Sequence, residues 1–270
     1  MDLLSIVWQA SPEIISLGFL KLRWYGFLFA VGYISGYYIM SWLYKKEKID
    51  VKEVENIFIY TAIGGIIGAR LGHILFYDIG LYIENPLEIL YIWHGGLASH
   101  GGAIGILLVM VHYCRKKKYQ SYLWIIDRMV IPIALAGMFI RIGNFFNSEI
   151  IGKPTDLPWG VIFDNNIFYS RVPRHPSQLY EALAYLGIFI FLMKYYLKNF
   201  GKIKEGSILG LFLVLIFSAR FILEFTKENQ VDFEYGMFMN MGQLLSIPLI
   251  LLGLWLIFRK ENANKNKEKD

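Results

Sequence analysis

The run RIGNFFNSE (141–149) places a guanidinium, two amides (Asn144 and Asn147), a hydroxyl (Ser148) and a carboxylate (Glu149) within nine consecutive residues. A planar guanidinium fork matches two oxygens of one phosphate, so Arg141 points to anion binding. A second arginine, Arg220, stands four residues before Glu224. That spacing puts both on one helix face, where the charges either neutralise each other or serve a shared ligand. HGGLASHGG (94–102) surrounds Ser99 and His100 with Gly95, Gly96, Gly101 and Gly102. Backbone or ligand can approach closely there, and helix packing through small residues accounts for the same pattern. His100 is accordingly either a general base or a hydrogen-bonded packing residue. PRHPSQLYE (173–181) fixes His175 between prolines and offers Ser177 as the N-cap of the helix that follows. Together these groups read as a lipid-headgroup site that holds a glycerophosphate.

The elements that must position them are membrane helices. Of the 270 residues, 56% are hydrophobic and 18% charged, with a mean hydropathy of +0.42. A soluble domain carries about a quarter charged residues. The apolar residues also come in blocks near the ~20-residue length that a span requires. Seven such blocks run over 17–43, 54–77, 91–113, 122–143, 178–198, 207–226 and 241–259. The fold class is therefore an all-α polytopic bundle of about seven transmembrane helices. Residues 1–260 form a single integral membrane domain, and 261–270 a charged tail.

Basic residues alternate between the connections. Lys45, Lys46, Lys48 and Lys52 follow the first block, Arg115 to Lys118 the third, and Lys194, Lys198, Lys202 and Lys204 surround the end of the fifth. Residues 1–16 and 78–90 have no base, and 227–240 have only Lys227. By the positive-inside rule the N-terminus lies outside, the tail lies in the cytoplasm, and 144–177 forms a small extracytoplasmic cap. The excess of five positive charges thus reads as topology rather than nucleic-acid binding. In this orientation Tyr25, Arg70, Arg141, Glu181, Arg220 and Glu224 all fall in the outer half of the membrane, with His100 deeper, near the middle of the third span. An ionisable group in a span costs at least a few kcal/mol, so their convergence on one leaflet calls for a function.

The same runs carry a family resemblance. Trp24-Tyr25-Gly26, GGLASHGG, GNFFNSE after Arg141, PRHPSQLYE and MGQLLSIP (241–248) resemble prolipoprotein diacylglyceryl transferases, in order and over nearly the whole chain. The resemblance implies a bacterial cytoplasmic-membrane enzyme with its active site toward the outer leaflet. It implies transfer of the diacylglyceryl group of phosphatidylglycerol, a membrane lipid, to the lipobox cysteine of preprolipoprotein signal peptides. Glycerol 1-phosphate is released, in the first step of lipoprotein maturation. It implies further that Arg141 grips the phosphate with Arg220 as second basic contact, and that His100 and Tyr25 act catalytically. Asn144, Glu149, Gly152 and Glu224 then belong to the phosphatidylglycerol site. One departure is visible: a tyrosine found in some members one turn before the second arginine is Ile216 here.

Displacing a phosphate ester by sulfur needs the leaving oxygens stabilised, and two arginines in a water-poor site do this without a metal. An unperturbed thiol has a pKa of about 8.5, so a base or a cationic field must raise its thiolate fraction. No His, Asp or Glu cluster has metal-ligand spacing, so neither metal nor cofactor is expected. The single cysteine, Cys114, excludes an internal disulfide and lies at the basic end of its block as a bystander. The alternative is a non-enzymatic anion or phospholipid transporter. It favours polar groups through the full membrane depth, whereas the inner halves of these blocks are mostly apolar. The topology has a direct test. In a Cys114→Ala background, cysteines introduced into 80–88 or 228–236 should react with an impermeant thiol reagent in intact cells, and those in 115–120 should stay protected. The reverse pattern would overturn the orientation.

Overall fold

The computed structural model describes residues 6–18, 20–92, 95–116, 121–166, 172–229, 234 and 236–260. His94, Lys117, Lys118 and the tail 261–270 lie outside the described residues. Strands β1 (Ile6–Trp8), β2 (Glu13–Leu17) and β3 (Leu20–Arg23) precede helix α1 (Trp24–Lys46). Then come α2 (Lys52–Phe76), the short α3 (Ile79–Glu84), a 3-10 turn (Pro86–Leu90), α4 (Ser99–Lys116) and α5 (Tyr122–Phe146). Strand β4 (Val161–Phe163), α6 (Ser177–Lys198), α7 (Ser207–Leu223) with a 3-10 turn (Glu224–Thr226), and α8 (Met241–Phe258) complete the chain. By length and composition six of these helices can cross a membrane: α1, α2, α5, α6, α7 with its 3-10 turn, and α8. The chain is a helical, polytopic integral membrane protein.

Two boundaries depart from the sequence reading. The first span begins at Trp24 rather than 17, because β2 and β3 pair as an antiparallel hairpin, with Gly18 at φ +68° and a Lys21–Glu13 pair at 3.0 Å. Small β elements therefore accompany the expected helices. The third block, expected over 91–113, becomes helical only at Ser99. Gly95 and Gly96 have φ of 94° and 70°, which break the helix before it can start. His100 consequently sits in the first turn of α4, not near mid-span.

The chain divides into two compact units, Tyr37–Ile125 and Met1–Gly36 with Ile126–Asp270. In the first of these, α2 and α4 meet along glycines four residues apart: Gly64, Gly68 and Gly72 against Gly101 and Gly105. A Cβ on Gly68 would lie 2.8 Å from the Gly105 Cα, and one on Gly72 would lie 2.7 Å from the Gly101 Cα. Helix packing therefore accounts for Gly101. Arg70, grouped by sequence with the converging polar residues, serves its own neighbourhood instead. Its guanidinium donates to the carbonyls of Ile89 (3.1 Å), Gly95 (2.5 Å), Gly96 (3.1 Å), Tyr91 (3.3 Å) and Glu88. It stands 5.0 Å from the Tyr82 ring centroid. These bonds satisfy carbonyls that the broken helix cannot, which is why a buried cation is kept there.

In the other unit, α7 packs on α6 and on α8, where Gly210 and Gly253 face each other's carbonyls. β1 pairs in parallel with β4, and Trp8 packs on Phe145, Ile151, Val161 and Phe163. This apolar plug seats residues 147–166 on the end of α5. Asp127, in the first turns of α5, accepts from the Gly206 and Leu209 amides at 2.6 and 2.8 Å and so caps α7 through space. The glycine seam is testable by single methyl groups. Gly68→Ala should lose roughly 1–3 kcal/mol by overpacking against backbone. Gly65→Ala, whose Cβ would meet Ile106 at an ordinary 3.5 Å, should not. Thermal unfolding in detergent that leaves the two variants equal would reject the seam.

Candidate active site

One end of the larger unit collects the polar side chains of α5, α6, α7 and α8. Arg141 is on the last turns of α5, and its Nε lies 3.2 Å from Glu181 Oε2, a close ion pair without the alignment of a hydrogen bond. Glu181, in the first turns of α6, is fully buried. Its other oxygen accepts from the ammonium of Lys227 at 3.0 Å, and Lys227 also donates to Glu224 at 2.9 Å. The result is a buried chain of alternating charge, Arg141–Glu181–Lys227–Glu224. Glu224 in turn presses on α8: a Cβ on Gly242 would lie 2.6 Å from its Cδ, so only glycine fits. The start of α8 is fixed by a capping box in which Asn240 and Gln243 satisfy each other's amides.

The i,i+4 spacing left open whether Glu224 neutralises Arg220, and the structure answers it. Glu224 is held by Lys227, and Arg220 Nε is buried without a hydrogen-bond partner among the described residues. Arg220 faces the same cluster, since both it and Arg141 act electrostatically on Tyr185 of α6. The Arg141 guanidinium stands 6.0 Å from the Tyr185 ring centroid.

Beyond α5 the chain turns sharply. Ser148 and Ile150 have φ of 53° and 56°, a left-handed conformation that is strained for a β-branched residue. Such strain is of order 1–3 kcal/mol per residue and concentrates at functional sites. Here it turns Glu149 back over α5, where its carboxylate accepts from the Asn144 and Asn147 amides at 3.0 and 3.1 Å. Gln178 donates to the Glu149 carbonyl at 2.5 Å. Asn144 Oδ1, Asn147 Oδ1, Ser148 Oγ and Gln178 Oε1 join Arg220 Nε as buried polar atoms without a partner among the described residues. Each such atom costs roughly 1–3 kcal/mol unless something binds it, and they gather where the sequence placed a headgroup.

Tyr25, in the first turn of α1, lies against Gly143, where a Cβ would come within 3.0 Å of its ring. Glu149 and Arg141 both act on its hydroxyl. Gly152 works through its backbone: its amide donates to the His175 carbonyl at 3.2 Å and its carbonyl accepts from Arg174 at 3.1 Å. Ser177, expected as an N-cap, is the first residue of α6, after Pro176 at the cap position. Its hydroxyl is 2.9 Å from that of Thr226, which ties α6 to the turn after α7. His175 lies 3.3 Å from the Tyr180 hydroxyl, and burial pushes its imidazole below the usual histidine pKa.

The larger unit thus brings together Tyr25, Arg141, Asn144, Glu149, Gly152, Arg220 and Glu224. His100 belongs to the other unit, exposed beside the rings of Phe76 and Tyr77 at 5.6 and 5.8 Å. The sequence reading missed Lys227, Gln178 and Tyr185; a lone loop lysine carries no pattern that marks it as buried. Among the described residues no cluster of three His, Cys, Asp or Glu could hold a metal. At the opposite end of α5–α8 two cations donate to backbone, although Arg259 Nε is buried without a partner among the described residues. Lys204 donates to the carbonyls of Ile257 (3.0 Å) and Arg259, and Arg259 donates to that of Glu205 (2.7 Å).

Comparison with known proteins identifies the family. The family model for prolipoprotein diacylglyceryl transferase matches residues 12–259. A phosphatidylglycerol–prolipoprotein diacylglyceryl transferase of Chloroherpeton thalassium is 46% identical over 94% of both chains. One of Tolumonas auensis is 45% identical over 96% of this chain and 99% of its own, and one of Bacteroides fragilis 42% identical over 95% of each. Similarity of this extent, over the helices that build the site as well as the site itself, places the chain in the prolipoprotein diacylglyceryl transferase family.

Proposed function

We propose that this chain transfers the diacylglyceryl group of phosphatidylglycerol to the lipobox cysteine of preprolipoprotein signal peptides, in the bacterial cytoplasmic membrane. The observation that carries the proposal is the cluster at one end of the larger unit. There Arg220 Nε and the side-chain oxygens of Asn144, Asn147, Ser148 and Gln178 are buried without partners among the described residues. A headgroup site at one membrane surface has this character. The relatives are named as transferases, and nothing among them favours the transporter alternative. The loop charges support an outer-leaflet site, where both the phospholipid headgroup and the cysteine at the end of a signal peptide are within reach.

In the reaction the cysteine sulfur attacks the glycerol carbon that bears the phosphate. The carbon–oxygen bond breaks as the thioether forms, glycerol 1-phosphate leaves, and the thiol proton passes to a base. Arg141 and Arg220 stabilise the phosphate oxygens as they gain charge, an effect worth about 10²–10³ in rate per lost donor in comparable sites. Asn144 and Glu149 orient the glycerol headgroup through the amide–carboxylate pair. Tyr25, between Glu149 and Arg141, positions a hydroxyl at the same place. His100 is the base proposed for the thiol proton.

The arginines distinguish charge from geometry. Lysine retains the charge but loses the planar fork. Because Glu224 is held by Lys227, Arg220 has no need to share its charge with that carboxylate, and its exchange is no milder than that of Arg141. Arg141→Lys and Arg220→Lys should each lower transfer to a lipobox peptide by about tenfold or more, with the alanine variants lower still and all of them inserted in the membrane. Wild-type rates for both lysine variants would reject phosphate clamping.

A further inference from the structure

Lys227 lies outside every run that carries the sequence argument, yet it is buried at the site and bonded to two carboxylates. The residue is 2% exposed, and its ammonium stands between Glu181 Oε1 at 3.0 Å and Glu224 Oε2 at 2.9 Å. We infer that Lys227 is a positioning residue for phospholipid binding: it holds Glu181 and Glu224 away from Arg220, so that the Arg220 guanidinium is left for a phosphodiester. The inference rests on the proposed reading of the site as one for phosphatidylglycerol.

Three cations, Arg141, Arg220 and Lys227, face two buried carboxylates, Glu181 and Glu224. Of the neighbouring carboxylates, Glu149 is exposed at the rim and bonded to two amides, Glu228 pairs with Arg174, and Glu234 accepts from the Met241 amide. With Glu181 and Glu224 both held by Lys227, Arg220 Nε is left for a phosphodiester. Without Lys227 the cations only equal the carboxylates. Glu224, four residues from Arg220 on the same face, then has that guanidinium as its natural partner, and the phosphate must compete with a carboxylate for it. A compact ammonium with three donors suits two carboxylates on different helices better than a planar fork does.

The backbone that carries Lys227 is built to deliver it. Residues 226–228 run antiparallel to 151–153: Lys153 N–H donates to the Thr226 carbonyl at 2.8 Å, and Glu228 N–H to the Ile151 carbonyl at 3.2 Å. Gly152 pairs with Lys227 in this bridge, and a Cβ at Gly152 would lie 2.6 Å from Ser177 Oγ. Gly152 therefore lets the segment that bears Lys227 sit against the start of α6, where Glu181 waits. On this view Gly152 acts on the site through the register of Lys227 rather than by touching the lipid.

The test uses the full chain, reconstituted with phosphatidylglycerol and a lipobox peptide, and reads KM for the lipid and kcat separately. Wild-type protein must first show transfer; if it does not, the functional reading fails before this inference is reached. Lys227→Met should raise KM for phosphatidylglycerol by about tenfold or more while lowering kcat less. The double variant Lys227→Met/Glu224→Gln, which removes the cation together with the carboxylate that would otherwise capture Arg220, should recover a KM within roughly threefold of wild type. A purely structural ion pair predicts otherwise, because the double variant loses two buried bonds and should bind no better than the single one. If Lys227→Met does not fold, the double variant carries the test alone. A near-wild-type KM then supports the inference, and one raised about tenfold overturns it. A wild-type KM in folded Lys227→Met, or a double variant as weak as the single, also overturns it.

Discussion

A charge withdrawn into an apolar membrane domain must find its counter-charge inside that domain, and the structure of the larger unit follows from this requirement. Arg141 alone, at the end of α5, would be costly to bury. Glu181 offsets it, Lys227 offsets Glu181, and Glu224 offsets Lys227. Removing one partner from such a chain typically costs about 3–5 kcal/mol, because the neighbour is left buried and unpaired. The chain of pairs therefore fixes the ends of α5, α6 and α7 relative to one another. It also dictates details that carry no charge, such as the glycine at 242, where any side chain would collide with Glu224. Arg220 stands outside this chain of pairs, and this remainder is what a phosphate would bind.

The same constraint operates differently in the smaller unit. Arg70 is also buried, but it is satisfied by backbone carbonyls rather than by acids. Those carbonyls are available because Gly95 and Gly96 prevent α4 from starting earlier. A guanidinium is well suited to this role, since its donors spread over several acceptors and stay charged at any ordinary pH. Two arginines of similar sequence setting thus have opposite uses: Arg70 closes a loop, and Arg220 keeps its Nε open to a ligand.

Much of the site was legible in the sequence because its chemistry is local. Arg141, Asn144, Asn147 and Glu149 fall within nine residues at the end of one helix, and the structure brings them to one place. The helices were legible because apolar blocks of span length have few alternatives. What sequence could not supply were contacts between distant segments. Lys227 and Glu181 are separated by 46 residues, and nothing near either one signals the pair. The Asp127 cap on α7 bridges an even longer gap, 79 residues to Gly206. Ser177 has the composition of an N-cap, but Pro176 takes that position and the hydroxyl turns to Thr226. The hairpin before α1 was hidden by its apolar content, since Ile15, Leu17 and Leu22 extend the hydrophobic block backwards.

The central claim is that two arginines in a charge-balanced membrane site release a phosphate from a phospholipid while sulfur takes its place. The most direct measurement supplies the purified wild-type chain with phosphatidylglycerol labelled in both the diacylglyceryl and the headgroup portions, together with a lipobox peptide. The account predicts diacylglyceryl label on the peptide cysteine in a thioether, with one headgroup-labelled glycerol phosphate released for each peptide modified. Release of headgroup without label on the peptide, or movement of intact lipid across the vesicle with neither, would contradict it.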